Sequence, residues 1–326
     1  MRHCAAVAVL ALGALAARSD AQWSTVYEQR YLPGGFNWEF RARYPEAERL
    51  FYAFDYGHAI LYETLFAHPD APASRLETGQ FHFLVDTLLR HPPRLPLAED
   101  AIEPEYAKLA PEAKAMFDWA HLLHRQIYDV WSDDHLSTEE KDARVAELVR
   151  YYKSRPDLAF SSHPKDMELM EGQPYSLVFR KRYPNFNGLI WAYHWLQVGL
   201  YDALLAGTDS ASRAANVRAA TARFWAMLDA APSRMPAMMP MTPAIAPRFT
   251  KRYPEAAVIF DNLHAMHDVI SDILASPMIP RSGKRAAILF AAARYRDDTS
   301  NITTVAEWEE MAVSMGAAHM GGAAIP

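Results

Sequence analysis

Apolar positions recur every three or four residues along four stretches of the chain, each opened by a proline. They are PEAERLFYAFDYGHAILYETLF from Pro45, PEAKAMFDWAHLLHRQIYDVW from Pro111, PNFNGLIWAYHWLQVGLYDALL from Pro184 and PEAAVIFDNLHAMHDVISDIL from Pro254. That period predicts amphipathic helices, and proline, with no N–H and a fixed φ, suits a helix's first turn. Three of the prolines end an Arg-Tyr-Pro triplet (Arg43-Tyr44-Pro45, Arg182-Tyr183-Pro184, Arg252-Tyr253-Pro254), with Ala110-Pro111 as the weaker fourth. A second helical pattern follows each stretch, near residues 75–91, 137–154, 210–230 and 281–295.

The prolines are spaced by 66, 73 and 70 residues, which predicts an all-α domain of four tandem helical hairpins. The units run about 43–105, 106–178, 180–245 and 250–300, followed by a helical or disordered tail. The aromatic-rich Pro-led helices suit an inner four-helix bundle, and their charged or Ala-rich partners an outer layer. Tandem hairpins would set the inner helices parallel and stack equivalent positions in layers. An antiparallel ferritin-like bundle is the alternative. Ferritin-like di-iron sites are carboxylate-rich, however, and only faintly similar to the His-rich stripes of this chain.

Counting from each proline brings candidate chemistry into register. Ten residues on stand Asp55, His121, His194 and His264; thirteen on stand His58, His124, Gln197 and His267. At 100° per residue these two positions share one narrow stripe, and position seventeen falls between them, carrying Tyr62, Tyr128, Tyr201 and Ser271. The carboxylates at position eighteen, Glu63, Asp129, Asp202 and Asp272, lie to one side, suited to a neighbouring helix or to the second nitrogen of a ligating His. Asp118 and Asp261, three residues before a His, fit the same supporting role.

Facing stripes would gather six His, one Asp and one Gln, more donors than one ion needs. This predicts a buried, dinuclear His/carboxylate site. Imidazole-rich donors without thiolates favour copper or iron and are compatible with zinc. Tyr62, Tyr128 and Tyr201 would then supply protons or electrons, with Gln197 marking an open face. The competing reading is a metal-free network of His, Asp, Tyr and Gln that fixes how the hairpins meet.

Composition narrows the setting. Half of the 326 residues are apolar, enough for one large core, and a net charge of −6 without a long run of one sign gives no nucleic-acid surface. The chain opens with basic MRHC, the apolar run AAVAVLALGALAA and small residues at Ser19 and Ala21. That is the pattern of a signal peptide over residues 1–21, which predicts export to the periplasm or outside the cell and no transmembrane anchor after processing. Cys4 is the only cysteine and lies within that segment, so the mature chain would hold neither disulfides nor thiolate metal sites.

A second feature is independent of the register. The linker SRMPAMMPMTPAIAP interleaves Met235, Met238, Met239 and Met241 with proline, and the tail adds Met311, Met315, His319 and Met320. Thioethers outside a core are soft ligands that favour Cu(I); the plainer reading is an apolar lid with methionine as gap-filler. His68, His82, His91, His135 and His163 fall out of register and read as surface or packing residues. Three functions remain open: an exported metalloprotein doing redox or oxygen chemistry on a small molecule, a copper storage or delivery protein without turnover, and a metal-free structural or accessory subunit.

Overall fold

The computed structural model describes residues 28–69, 71–93, 99–229, 239–314 and 323–325. The chain is all-helical there, and a lone bridge between Lys165 and Ile302 is the one extended pairing among the described residues. In order the helices are α1 (Glu39–Arg43), α2 (Pro45–Ala67), α3 (Ala73–His82), α4 (Pro104–Leu109) and α5 (Pro111–Ser132). Next come α6 (Thr138–Lys153), α7 (Glu168–Glu171), α8 (Val178–Arg182), α9 (Pro184–Leu205) and α10 (Ser210–Asp229). The last are α11 (Thr242–Ile245), α12 (Pro247–Arg252), α13 (Pro254–Ala275), α14 (Arg281–Arg296) and α15 (Val305–Ser314).

The long helices α2, α5, α9 and α13 each begin at one of the register prolines. The residues before them, Tyr44, Ala110, Tyr183 and Tyr253, have φ between −141° and −129° and ψ between 57° and 62°. The proline ring excludes the α conformation from its predecessor, so the chain turns there and starts a new helix. Ahead of each turn stands a short helix: α1, α4, α8 or α12.

Each short helix is clasped by a carboxylate from position eighteen of a long helix. Asp129 accepts the N–H groups of Trp38 and Phe40 at 2.9 Å, ahead of and within α1. Asp272 does the same for Leu177 (2.8 Å) and Phe179 (2.7 Å) at α8. Glu63 accepts Glu105 N (3.0 Å) and Tyr106 N (3.1 Å) at α4, and Asp202 accepts Arg248 N (3.2 Å) and Phe249 N (2.8 Å) at α12. Free N–H groups at a helix start are unsatisfied donors with a partial positive charge, which is why an acceptor carboxylate belongs there. The clasps are reciprocal: α2 holds the helix leading into α5, and α5 holds the one leading into α2. The same exchange links α9 and α13.

Three long helices pack along their successors, α5 with α6, α9 with α10 and α13 with α14. The first does not follow suit: α3 packs on α9, and the wide-turned segment Phe83–Leu88 leans on α2. Glu77 of α3 explains the crossing, since it accepts the N–H groups of Asn185 (2.5 Å) and Phe186 (3.1 Å) in the first turn of α9. The triplet arginines also tie units together. Arg252 forks onto Asp142 of α6 at 2.6 Å, Arg43 pairs with Asp134, and Arg182 donates to the carbonyl of Ala275 at the end of α13. No described helix is long and apolar enough to cross a membrane.

The long helices do not stack equivalent positions in parallel layers. Between α5 and α13, Phe117 meets His267 while His124 meets Phe260. Between α5 and α9, His124 meets Tyr201 and the Tyr128 hydroxyl donates to the Gln197 carbonyl. Between α9 and α13, His194 meets His264 while Tyr201 meets Phe260. The order of contacts along the two helices is reversed in all three pairs. Three near-parallel axes cannot be mutually reversed, so these helices cross one another around a common centre.

Candidate metal centre

That centre is where the six register histidines lie. Each is nearly or fully buried: His58, His121, His124, His194, His264 and His267. Their rings form one continuous group. His58 stands 5.0 Å from His194 and 4.6 Å from His267, between ring centroids; His194 stands 4.3 Å from His264, His124 5.7 Å from His264, and His121 6.0 Å from His267. Two phenylalanines cover the group reciprocally, Phe117 of α5 on His267 of α13 (4.2 Å) and Phe260 of α13 on His124 of α5 (3.7 Å).

Within the group, His58, His194 and His267 each bring one ring nitrogen within 4.8 Å of the other two, and this buried triad can hold a metal ion. It draws on α2, α9 and α13 and mixes the two register positions, as crossing helices require. Hydrogen bonds settle two tautomers. A carbonyl only accepts, so His58 Nδ1, 2.8 Å from the oxygen of Phe54, carries the proton and leaves a lone pair on Nε2. A thioether only accepts as well, so His194 Nδ1, 3.0 Å from Met239 Sδ, is the donor and Nε2 carries the lone pair. That Nε2 lies 3.1 Å from His267 Nδ1. Ligating imidazoles are commonly oriented in this way, through the nitrogen that does not bind.

The donors are neutral. Burial pushes His58 down to about 4 and His264 to about 3, and His58 adds to the depression of His264. His121, His124, His194 and His267 are held well below the usual imidazole range, first by burial and then by surrounding positive charge. Several buried nitrogens have no hydrogen-bond partner among the described residues: Nε2 of His58, Nε2 of His124 and both nitrogens of His264. A buried polar atom without a partner costs about 1–3 kcal/mol, and an ordered water or a bound ion would relieve it.

The other register residues take different places. Asp55 lies 3.2 Å from Arg125 and 3.6 Å from His121, so its charge is shared with a guanidinium that also pairs with Glu48. Gln197 is buried, with its side-chain oxygen unpartnered. Of the three tyrosines only Tyr201 touches a histidine nitrogen, 2.6 Å from His124 Nδ1; Tyr62 donates to the His267 carbonyl at 3.2 Å and Tyr128 to that of Gln197. Glu63, Asp129, Asp202 and Asp272 serve the clasps. Asp118 is bound to Lys114 at 3.0 Å. Asp261 accepts Thr242 N (2.9 Å), Thr242 Oγ1 (2.6 Å) and Trp308 Nε1 (2.8 Å), away from the ring nitrogens.

Met239 and Met241 are buried, whereas Met235, Met238, Met315, His319, Met320 and the segment 1–21 lie outside the described residues. One residue beside the site has no counterpart in the register. Tyr193 has a buried, unpartnered hydroxyl, with its ring 5.9 Å from that of His58 and stacked 4.4 Å from Phe54. It fits because position 57 is glycine: a Cβ there would stand 2.8 Å from the Tyr193 ring and 2.9 Å from its hydroxyl. The Gly57-His58 and Tyr193-His194 pairs are the signal the sequence holds for it. No family model matches the chain, and no curated protein or solved structure matches it.

Proposed function

We propose that this protein is a metal-binding protein whose ion is held by His58, His194 and His267, with His121, His124 and His264 as a second set of donors beside them. One observation carries the reading: three neutral imidazoles from three helices converge within 4.8 Å, in an interior where neighbouring ring nitrogens have no hydrogen-bond partner. A network built only to fix packing would have satisfied those atoms. Six imidazoles suit copper, iron or zinc, and the thioether of Met239 on His194 tips the balance to copper. Burial of the whole group and its methionine neighbour support holding and delivery of the ion over open turnover.

We also take residues 1–21 as an export signal and the four Pro-led helices, with their recurring clasps, as copies of one unit. A second reading, a redox enzyme, is favoured by the Tyr201 hydroxyl 2.6 Å from His124 Nδ1, which would let a phenol exchange a proton beside a bound ion. An ion there would supply Lewis acidity or electron transfer; the protein's own residues orient the ligands and exclude water.

The test is elemental analysis of untagged protein, followed by titration of the stripped protein with Cu(I), Cu(II), Fe(II) and Zn(II). Uptake of one or two equivalents, lost in His58→Ala/His267→Ala with helix content retained, supports the proposal. Unchanged stoichiometry in the double variant overturns it.

A further inference from the structure

A cavity of about 50 Å³ lies beside the cluster, and five methionines line it: Met167, Met170, Met239, Met241 and Met311. The chain has 14 methionines, so more than a third converge here, from the segment around α7, the linker before α11 and helix α15. Methionine is the usual filler of irregular gaps in a core, yet here five of these adaptable side chains surround a void. The space has room for a water or two, or for one ion.

The walls are graded. Met167 and Met311 are half-buried, while Met239 and Met241 are buried. Met239 borders the cavity and also places its sulfur 3.0 Å from His194 Nδ1, so one side chain joins the cavity to the histidine cluster. Asp261 braces the arrangement from α13: its two oxygens hold Thr242, next to Met241, and Trp308, one turn before Met311. The nearby cations are engaged elsewhere. Lys165 donates to the carbonyls of Asp297 (2.6 Å) and Ser300 (2.8 Å), and Arg180 pairs with Asp268 at 2.7 Å while touching the sulfur of Met170 at 3.7 Å. Met170 is therefore a wall, Met167, Met241 and Met311 are the thioethers that would hold an ion, and Met239, whose sulfur accepts His194 Nδ1, stands between them and the cluster.

We propose that this cavity is a thioether site for Cu(I), from which the ion reaches the histidine cluster by ligand exchange through Met239. Thioethers bind soft monovalent ions and discriminate against Zn(II), whereas imidazoles accept both. No electron moves in the transfer: one copper–sulfur bond is exchanged for a copper–nitrogen bond. The proposal rests on the metal-binding reading of the cluster, and the test separates the two.

Full-length processed protein is titrated anaerobically with Ag(I), a redox-inert stand-in for Cu(I), and separately with Zn(II), and the rate of Cu(I) uptake is followed against a chromophoric chelator. The variant Met167→Leu/Met241→Leu/Met311→Leu keeps volume and apolarity. It should lose one equivalent of Ag(I) and load Cu(I) at least tenfold more slowly, with Zn(II) stoichiometry unchanged. His58→Ala/His267→Ala should lose Zn(II) and retain the methionine-bound Ag(I). Wild-type Ag(I) stoichiometry and loading rate in the Leu variant overturn the thioether site, whatever Zn(II) does. Loss of Zn(II) in neither variant overturns the histidine reading alone.

Discussion

His194 Nε2 lies 3.1 Å from His267 Nδ1, across the gap between α9 and α13, and the Nε2 of His58 meets no donor among the described residues. Two nitrogens on one tetrahedral ion with bonds of about 2.0–2.1 Å stand roughly 3.3–3.4 Å apart, so a small opening of this contact would admit one. His267 Nδ1 is the donor in this contact, since His194 Nε2 carries the lone pair, so an ion on both nitrogens would require the His267 proton to move to Nε2, a change of tautomer that leaves the ring neutral.

The carboxylates of the four clasps should affect stability and leave metal uptake unchanged. Asp272→Ala abandons the N–H groups of Leu177 and Phe179, and a loss of about 1–3 kcal/mol is expected. Denaturant titration reads the loss; metal stoichiometry measured alongside should match the wild type. A drop in stoichiometry without a drop in stability would place Asp272 in the metal site instead.

The histidines give the metal-free protein an acid sensitivity that can be isolated by difference. His264 is lowered from 6.5 to about 3 on folding, first by burial. A depressed folded value means its contribution is fully present above pH 6.5 and is lost as pH falls through 3, because only the unfolded chain binds the proton in that interval. Wild-type stability minus that of His264→Gln, measured with chelator present, should be flat above pH 6.5. Below that it should fall towards pH 3, by about 1.4 kcal/mol for each pH step of one. A difference that stays flat to pH 4 would show that His264 is not buried neutral.

The tyrosines should separate. Tyr201→Phe keeps the stacking on Phe249 (3.9 Å) and removes the hydroxyl from His124, so it should cost about 1 kcal/mol and shift the spectrum of bound Cu(II). Tyr62→Phe removes a hydrogen bond to a backbone carbonyl and should leave that spectrum unchanged. Equal shifts from both would contradict the placement of Tyr201.

Gly57→Ala places a methyl 2.8 Å from the Tyr193 ring. Overpacking of this kind costs about 1–3 kcal/mol, and since Gly57 adjoins His58, metal affinity should weaken with stability. Repair of both by a second change, Tyr193→Leu, would confirm that the clash is the cause.

The clustering of the histidines was legible because helical periodicity and a proline anchor are local properties. All six histidines reached by counting from Pro45, Pro111, Pro184 and Pro254 are found together. What was not legible depends on which helix faces which. The carboxylates at position eighteen could be seen to point sideways, but only the packed chain reveals that each meets the start of a short helix. Glu77 draws α3 across to α9, and nothing in its local pattern announces this. The mixing of register positions in the triad arises from crossing axes, which no periodicity encodes. The convergence of Met167 and Met170 with the linker and tail methionines was equally hidden, since nothing local ties α7 to either.

The reciprocal clasps have one more consequence. Those of Glu63 and Asp129 close within the stretch from α1 to α5, and those of Asp202 and Asp272 close within the stretch from α8 to α13. The triad takes His58 from the first stretch and His194 and His267 from the second. An ion bound there would add a rivet between two pieces that Glu77 on α9 and Arg252 on Asp142 already tie. A chain nicked between α6 and α7 should then behave as a two-part assembly, held more tightly with the rivet in place than after a chelator.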